Sequence, residues 1–175
     1  MKRKGVILIL IWICFILQST VFKLQTFTNV SPNLLLMMTV SIAFMQGKKE
    51  GLLTGFVSGL LIDVFFGTIL GIYSLLYMLT GFAAGSFAQI YFDEDVTIPV
   101  ALVTVADFIL NFLIYVVGFL LRGRTAFPTY LIQIILPEMI FTAVMTLIFY
   151  RVIYKINHAL SESEKEERQS LWIRD

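Results

Sequence analysis

The sequence predicts an all-α integral membrane protein, a bundle of six transmembrane helices, or five if the short third stretch does not cross. Three observations carry this prediction. Of 175 residues, 58% are apolar and only 14% are charged, far from the balance of a water-soluble domain. The mean hydropathy is +0.87. The apolar residues also gather into stretches near the length of about 20 residues that a helix needs to cross a bilayer core. With 13 Lys and Arg against 12 Asp and Glu, the formal net charge is +1, so the chain has no polybasic character for nucleic acid.

The first stretch, Gly5 to Phe22, follows Lys2, Arg3 and Lys4. It reads as an uncleaved anchor, because Gln18-Ser19-Thr20 offers no Ala-x-Ala cleavage site. The second runs from Val30 to Gln46, with Pro32 near its start, where a missing N–H costs little, and Gly47-Lys48-Lys49-Glu50 closes it. From Gly51 to Phe92 the only charge is Asp63, and this length is two spans. Phe66-Gly67-Thr68 supplies the turn between them, giving a third span over 51–66 and a fourth over 69–91, ended by Asp93-Glu94-Asp95. The fifth covers 96–121 with Pro99 in its first turn, and the sixth covers 130–150 with Pro137 expected to bend it.

The membrane region thus spans 1–156, followed by a charged tail over 157–175. Ser161 and Glu164 have capping-box spacing for a short helix there, and Leu171-Trp172-Ile173 suits a membrane interface or a partner. Cytoplasmic segments carry an excess of Lys and Arg. With both termini inside, the inner segments hold ten of these residues, against Lys23, Arg122 and Arg124 outside. This asymmetry places both termini in the cytoplasm, although the inner loop Asp93 to Asp95 is acidic and the outer loop holds two arginines.

Function has few places to reside. The single cysteine, Cys14, and the single histidine, His158, leave no material for a disulfide, a cysteine-rich metal site or Ser-His chemistry in the membrane. Gly55-Phe-Val-Ser58-Gly59 is not Gly-x-Ser-x-Gly, and no phosphate or dinucleotide fingerprint occurs. The chain is expected to be no enzyme and to need no cofactor and no metal.

Two groups of residues stand out. Gly51, Gly55, Gly59, Asp63 and Gly67 recur every four residues and form a stripe on one helix face. Small residues let another helix backbone approach closely where lipid removes the hydrophobic incentive to associate. The stripe therefore serves packing inside the bundle, or else the docking of a partner helix. Gly81 and Gly85 repeat the pattern on the fourth helix. The second group comprises the ionisable residues inside spans, Asp63, Asp107 and Glu138, each costing about 2.5 to 3.5 kcal/mol on insertion scales. Asp107 and Asn111, one turn apart, share a face. Asp63 and Glu138 are expected in the outer half, within reach of Arg122 or Arg124. These acids read as interhelical hydrogen-bonding groups first and as a proton or cation path second.

The run Gly51-Leu-Leu-Thr-Gly55-Phe-Val-Ser-Gly59-Leu-Leu-Ile-Asp63-Val-Phe-Phe-Gly67-Thr-Ile-Leu-Gly71-Ile-Tyr-Ser-Leu-Leu-Tyr77 resembles the central signature of the MreD family, bacterial rod-shape-determining membrane proteins. The resemblance implies a bundle like the S components of energy-coupling-factor transporters, in the bacterial cytoplasmic membrane. It also implies a non-catalytic scaffold of the elongation complex, with MreC, MreB, RodA and a penicillin-binding transpeptidase as partners. The segment from Gly51 to Gly71, centred on Asp63, is the part it marks as important. A vitamin-binding S component is the alternative. Those proteins usually carry an Ala-x-x-x-Ala face on the first span, and Gly5 to Phe22 contains no alanine.

Overall fold

The computed structural model describes residues 2–21, 31–67, 70–89, 97–118 and 127–172, and every regular element among them is helical. Helix α1 (Lys2–Ile16) runs on through a π-helical turn, Leu17–Val21. Helices α2 (Leu34–Gln46) and α3 (Lys48–Phe66) are separated by Gly47 alone. Helix α4 (Ile72–Ser86) ends in a 3-10 turn, Phe87–Gln89, and α5 spans Thr97–Gly118. The short α6 (Phe127–Tyr130), a π-helical segment Leu131–Ile135 and α7 (Leu136–Trp172) make one continuous rod. Among the described residues six rods result, in the order of the six predicted spans.

Three rods are long and apolar enough to cross a bilayer by themselves: Arg3–Thr20, Thr97–Gly118 and Phe127–Ser163. Helix α2 has only 13 residues, about 20 Å at 1.5 Å per residue, against a hydrocarbon core of about 30 Å. Its position explains how so short a helix is accommodated. Every residue from Leu34 to Phe44 is buried, and α2 touches α1, α3, α4, α5 and α7. It is the central pillar, screened from lipid by its neighbours. A helix that is apolar all round is what such a place requires.

The outer helices are patterned inside out relative to a soluble protein. On α3 the buried positions are Gly51, Thr54, Gly55, Ser58, Gly59 and Asp63, all small or polar. Its exposed positions include Leu53, Phe56, Leu60 and Val64. On α5 the exposed face carries Val105, Phe108, Ile109 and Phe112, while Asp107 and Asn111 point inward. Close packing and hydrogen bonds hold the interior, and bulky apolar side chains meet lipid.

One end of the bundle is basic. Lys4 pairs with Glu50 at 3.6 Å, Arg3 donates to Asn157 Oδ1 at 3.0 Å, and Gln46 donates to the same oxygen at 2.7 Å. These contacts tie the start of α1, the α2–α3 corner and α7 together. Among the described residues, every Lys and Arg lies at or beyond this end, or in the half of the bundle leading to it. Among the described residues, the opposite end is formed by 17–21, 31–34, 66–67, 70–72 and 127–130.

Two local expectations change, and the setting of Pro137 becomes visible. The third span starts at Lys48, because the φ of 91° at Gly47 lets the chain reverse in one residue. Pro137 is accommodated by the π-helical turn just before it, where the Leu136 N–H reaches back to the Leu131 carbonyl. The tail is not a separate short helix capped at Ser161: α7 continues unbroken past Asn157 to Trp172, and the Ser161 hydroxyl bonds the His158 carbonyl at 2.8 Å. A capping box acts only where a preceding residue breaks the helix, and nothing between Asn157 and Ser161 does so.

Candidate functional site

Two constellations are built from the residues that the sequence singles out. The first is the α3–α4 hairpin. The glycines of α3 face α4 in antiparallel register, and the backbones touch. A Cβ added to Gly51 would sit 3.0 Å from the Gly81 carbonyl carbon, and one on Gly55 would lie 2.7 Å from that of Tyr77. A Cβ on Gly59 would fall 2.5 Å from Ser74 Cα, and one on Gly85 would fall 2.7 Å from Lys48 Cα. All of these neighbours are backbone atoms, which cannot swing aside. In this structure the stripe is occupied by the chain's own fourth helix.

The acid in the stripe joins the two helices at the turn. Asp63 is 1% exposed. Its Oδ2 accepts from the N–H of Gly71 at 3.0 Å, the N–H of Ser74 at 2.8 Å and the hydroxyl of Ser74 at 2.5 Å, and its Oδ1 accepts from the N–H of Tyr73 at 3.1 Å. These donors belong to the first turn of α4, where helical N–H groups lack intrahelical partners and the helix dipole favours negative charge. Asp63 is thus a capping residue supplied from the preceding helix. Two glycines shape the turn around it. Gly67 ends α3, its N–H bonding the carbonyls of Ile62 and Asp63, and Gly71 starts α4 at φ 103°, a left-handed conformation that L side chains rarely adopt.

The second constellation lies inside the bundle between α2, α4, α5 and α7. The Asn111 amide bonds the Asp107 carbonyl oxygen at 3.1 Å and approaches Asp107 Oδ1 at 3.4 Å. Asp107 is fully buried and lies against Thr142 of α7 and Asn33 at the head of α2. Glu138 sits beside Asn111 and faces the Asp107 carboxyl. Asn33 is the hub. Its Oδ1 caps α2 by accepting from the Leu36 N–H at 3.1 Å and also accepts from the Tyr77 hydroxyl at 2.7 Å. Its backbone N–H donates to the Thr142 hydroxyl at 3.0 Å. Close approach of α4 at the glycine stripe brings Tyr77 near enough for its hydroxyl to reach α2, so the two constellations are mechanically linked.

Beside this network, toward the end of the bundle opposite the basic one, lies a cavity of about 300 Å³. Asn33, Tyr77, Asn111 and Glu138 form its inner wall. Gln18 and Ser19 reach it from the π-helical end of α1, Tyr73 from α4 and Tyr130 from α6. Gln18 also accepts a hydrogen bond from the Leu35 N–H at 3.1 Å.

The structure thus brings Asp107, Asn111 and Glu138 into one cluster and seats Asp63 apart, on the first turn of α4. Arg122 and Arg124, the expected counter-charges, lie outside the described residues. Asn33, Thr142 and Tyr77 were not anticipated. A signal existed for two of them: Asn directly after Pro32 suits a helix cap, and Thr142 stands one turn after Glu138 on the same helix face. Tyr77 ends the signature run, but nothing in the sequence pointed to its bond with Asn33, since that role depends on how closely α3 and α4 approach.

No curated protein and no solved structure matches the chain. The family described as rod shape-determining protein MreD matches residues 1–159, nearly the whole length and both constellations, which favours a shape-determining role over vitamin transport. With a multi-pass helical bundle and the Gly51 to Gly71 hairpin in place, the chain belongs to the MreD family of membrane proteins, whose role is rod shape determination.

Proposed function

We propose that this protein is a non-catalytic scaffold of the bacterial elongation complex, coupling MreB filaments and MreC to peptidoglycan synthesis by RodA and a penicillin-binding transpeptidase. The observation that carries the reading is the family match across residues 1–159. The architecture supports it. The described Lys and Arg residues gather toward and beyond one end of the bundle, a distribution that by the positive-inside bias supports cytoplasmic termini in an inner-membrane protein. From that end α7 extends as an unbroken helix to Trp172, long enough to carry contacts made in the cytoplasm back to α2, α5 and the bundle interior. Partner helices engage the apolar outer faces, because the glycine stripe is filled by α4.

The test is depletion in the native host with cell width followed during growth. Widening and rounding that wild-type protein reverses is expected, and cells of unchanged width would refute the morphogenetic role. Loss of MreC copurification when residues 160–175 are removed would assign the α7 extension to the partner interface. Undiminished recovery would assign that interface to the membrane helices.

A further inference from the structure

The cavity beside the polar network has walls of two kinds. Its carboxyl group, Glu138, is accompanied by the amides of Gln18, Asn33 and Asn111. Its aromatic surface comes from Phe15, Phe66, Tyr73, Tyr77 and Tyr130. Among the described residues no Lys, Arg or His lines it. Behind the inner wall stands Asp107, with no exposed surface and with an Oδ2 that has no hydrogen-bond partner. Two neighbouring carboxyls in a low-dielectric interior are relieved by a shared proton or by a cation, and aromatic faces around an acid are the usual surroundings of an organic ammonium. A volume of about 300 Å³ falls at the small end of ligand pockets, which run from ~300 to ~1,000 Å³. Glu138, Gln18, Tyr73 and Tyr130 each keep part of their surface accessible, so the site is reachable from outside the bundle.

We propose that this cavity binds a small organic ammonium group, with Glu138 as the counter-charge, Tyr73, Tyr77 and Tyr130 as aromatic walls, and the Asn111 amide oxygen as a hydrogen-bond acceptor. The same chemistry is offered by the amino headgroup of a phospholipid and by a free soluble amine. The inference stands on the cavity alone and does not depend on which proteins the chain assembles with.

The experiment uses the purified full-length protein. In one arm, detergent-solubilised protein is titrated with ethanolamine and choline, with glycerol as the neutral control, and thermal stability is followed. In the other, protein in nanodiscs of phosphatidylglycerol with or without phosphatidylethanolamine is washed, and the retained lipid is identified by mass spectrometry. A saturable rise with ethanolamine or choline but not glycerol supports a free amine. Selective retention of phosphatidylethanolamine without that rise supports a lipid headgroup. In either case Glu138→Gln is expected to weaken binding at least tenfold and Tyr73→Leu several-fold, while Thr80→Leu, on the groove between α4 and α5, leaves it unchanged. Tyr73→Leu serves as the deciding variant if Glu138→Gln does not remain folded. No response of the wild type in both arms overturns the proposal. Binding that neither cavity substitution weakens overturns it equally.

Discussion

Replacement of Asp63 tests the hairpin most directly. Asp63→Ala removes the acceptor for three backbone N–H groups and the Ser74 hydroxyl at the start of α4. These losses are not equal. Gly71 is exposed, so water can take over there, and the Ser74 hydroxyl can turn to another acceptor. The Ser74 N–H is different, because the residue is 4% exposed, and the Tyr73 N–H is intermediate. One fully stranded donor and one partly stranded donor, at about 1–3 kcal/mol each, give a loss of roughly 2–4 kcal/mol, somewhat above that of an ordinary N-cap. Asp63→Asn keeps one acceptor oxygen and is expected to lose about half as much. Equilibrium unfolding in mixed micelles, read by circular dichroism, should rank wild type above Asn above Ala. A gap of about 3 kcal/mol is more than a hundredfold in the folding equilibrium. An alanine variant within about 0.5 kcal/mol of wild type, the range of an ordinary surface change, would refute the capping account. So would an asparagine variant as unstable as the alanine one.

Further outcomes follow from the same geometry. Gly55→Ala forces a Cβ to within 2.7 Å of the Tyr77 backbone and should cost about 1–3 kcal/mol as an overpacked contact. Gly5→Ala, with nothing within 4 Å of the new atom, should be neutral or slightly stabilising in the same unfolding assay. Gly71→Ala meets open space but a φ of 103°, so a loss of about 1–3 kcal/mol from backbone strain is expected, with no shift in the α3–α4 distance measured by paired spin labels. Tyr77→Phe deletes the buried bond to Asn33 and should lower stability by about 1–2 kcal/mol. An unchanged unfolding midpoint would place Tyr77 outside the network.

Much was legible before any coordinates. Six apolar stretches became six rods because the membrane imposes helical closure of every backbone hydrogen bond, so length and hydropathy alone locate spans. The glycine period and the shared face of Asp107 and Asn111 likewise follow from helical geometry, which is local. Periodicity also drew attention to Asp63, but not to its partners. Ser74 and Tyr73 become donors to it only once Gly67 and Gly71 turn the chain and the stripe brings α4 against α3.

Tertiary structure decided everything that depends on which helix meets which. Sequence marks α2 as one span among six, and its place at the centre appears only when five other helices surround it. The two readings of the glycine stripe, internal packing or partner docking, are equivalent in sequence because a helix surface is described equally well whether its neighbour is covalently linked or not. The meeting of Asn33, Tyr77, Asp107, Asn111, Glu138 and Thr142 joins residues more than 100 positions apart. No local pattern encodes such a meeting, because it results from side chains at similar depth on separate helices being brought within hydrogen-bond reach by close backbone packing. The sequence determined that these helices form and which face of each stays out of lipid. The tertiary structure determined that those faces enclose a cavity with an acid in its wall.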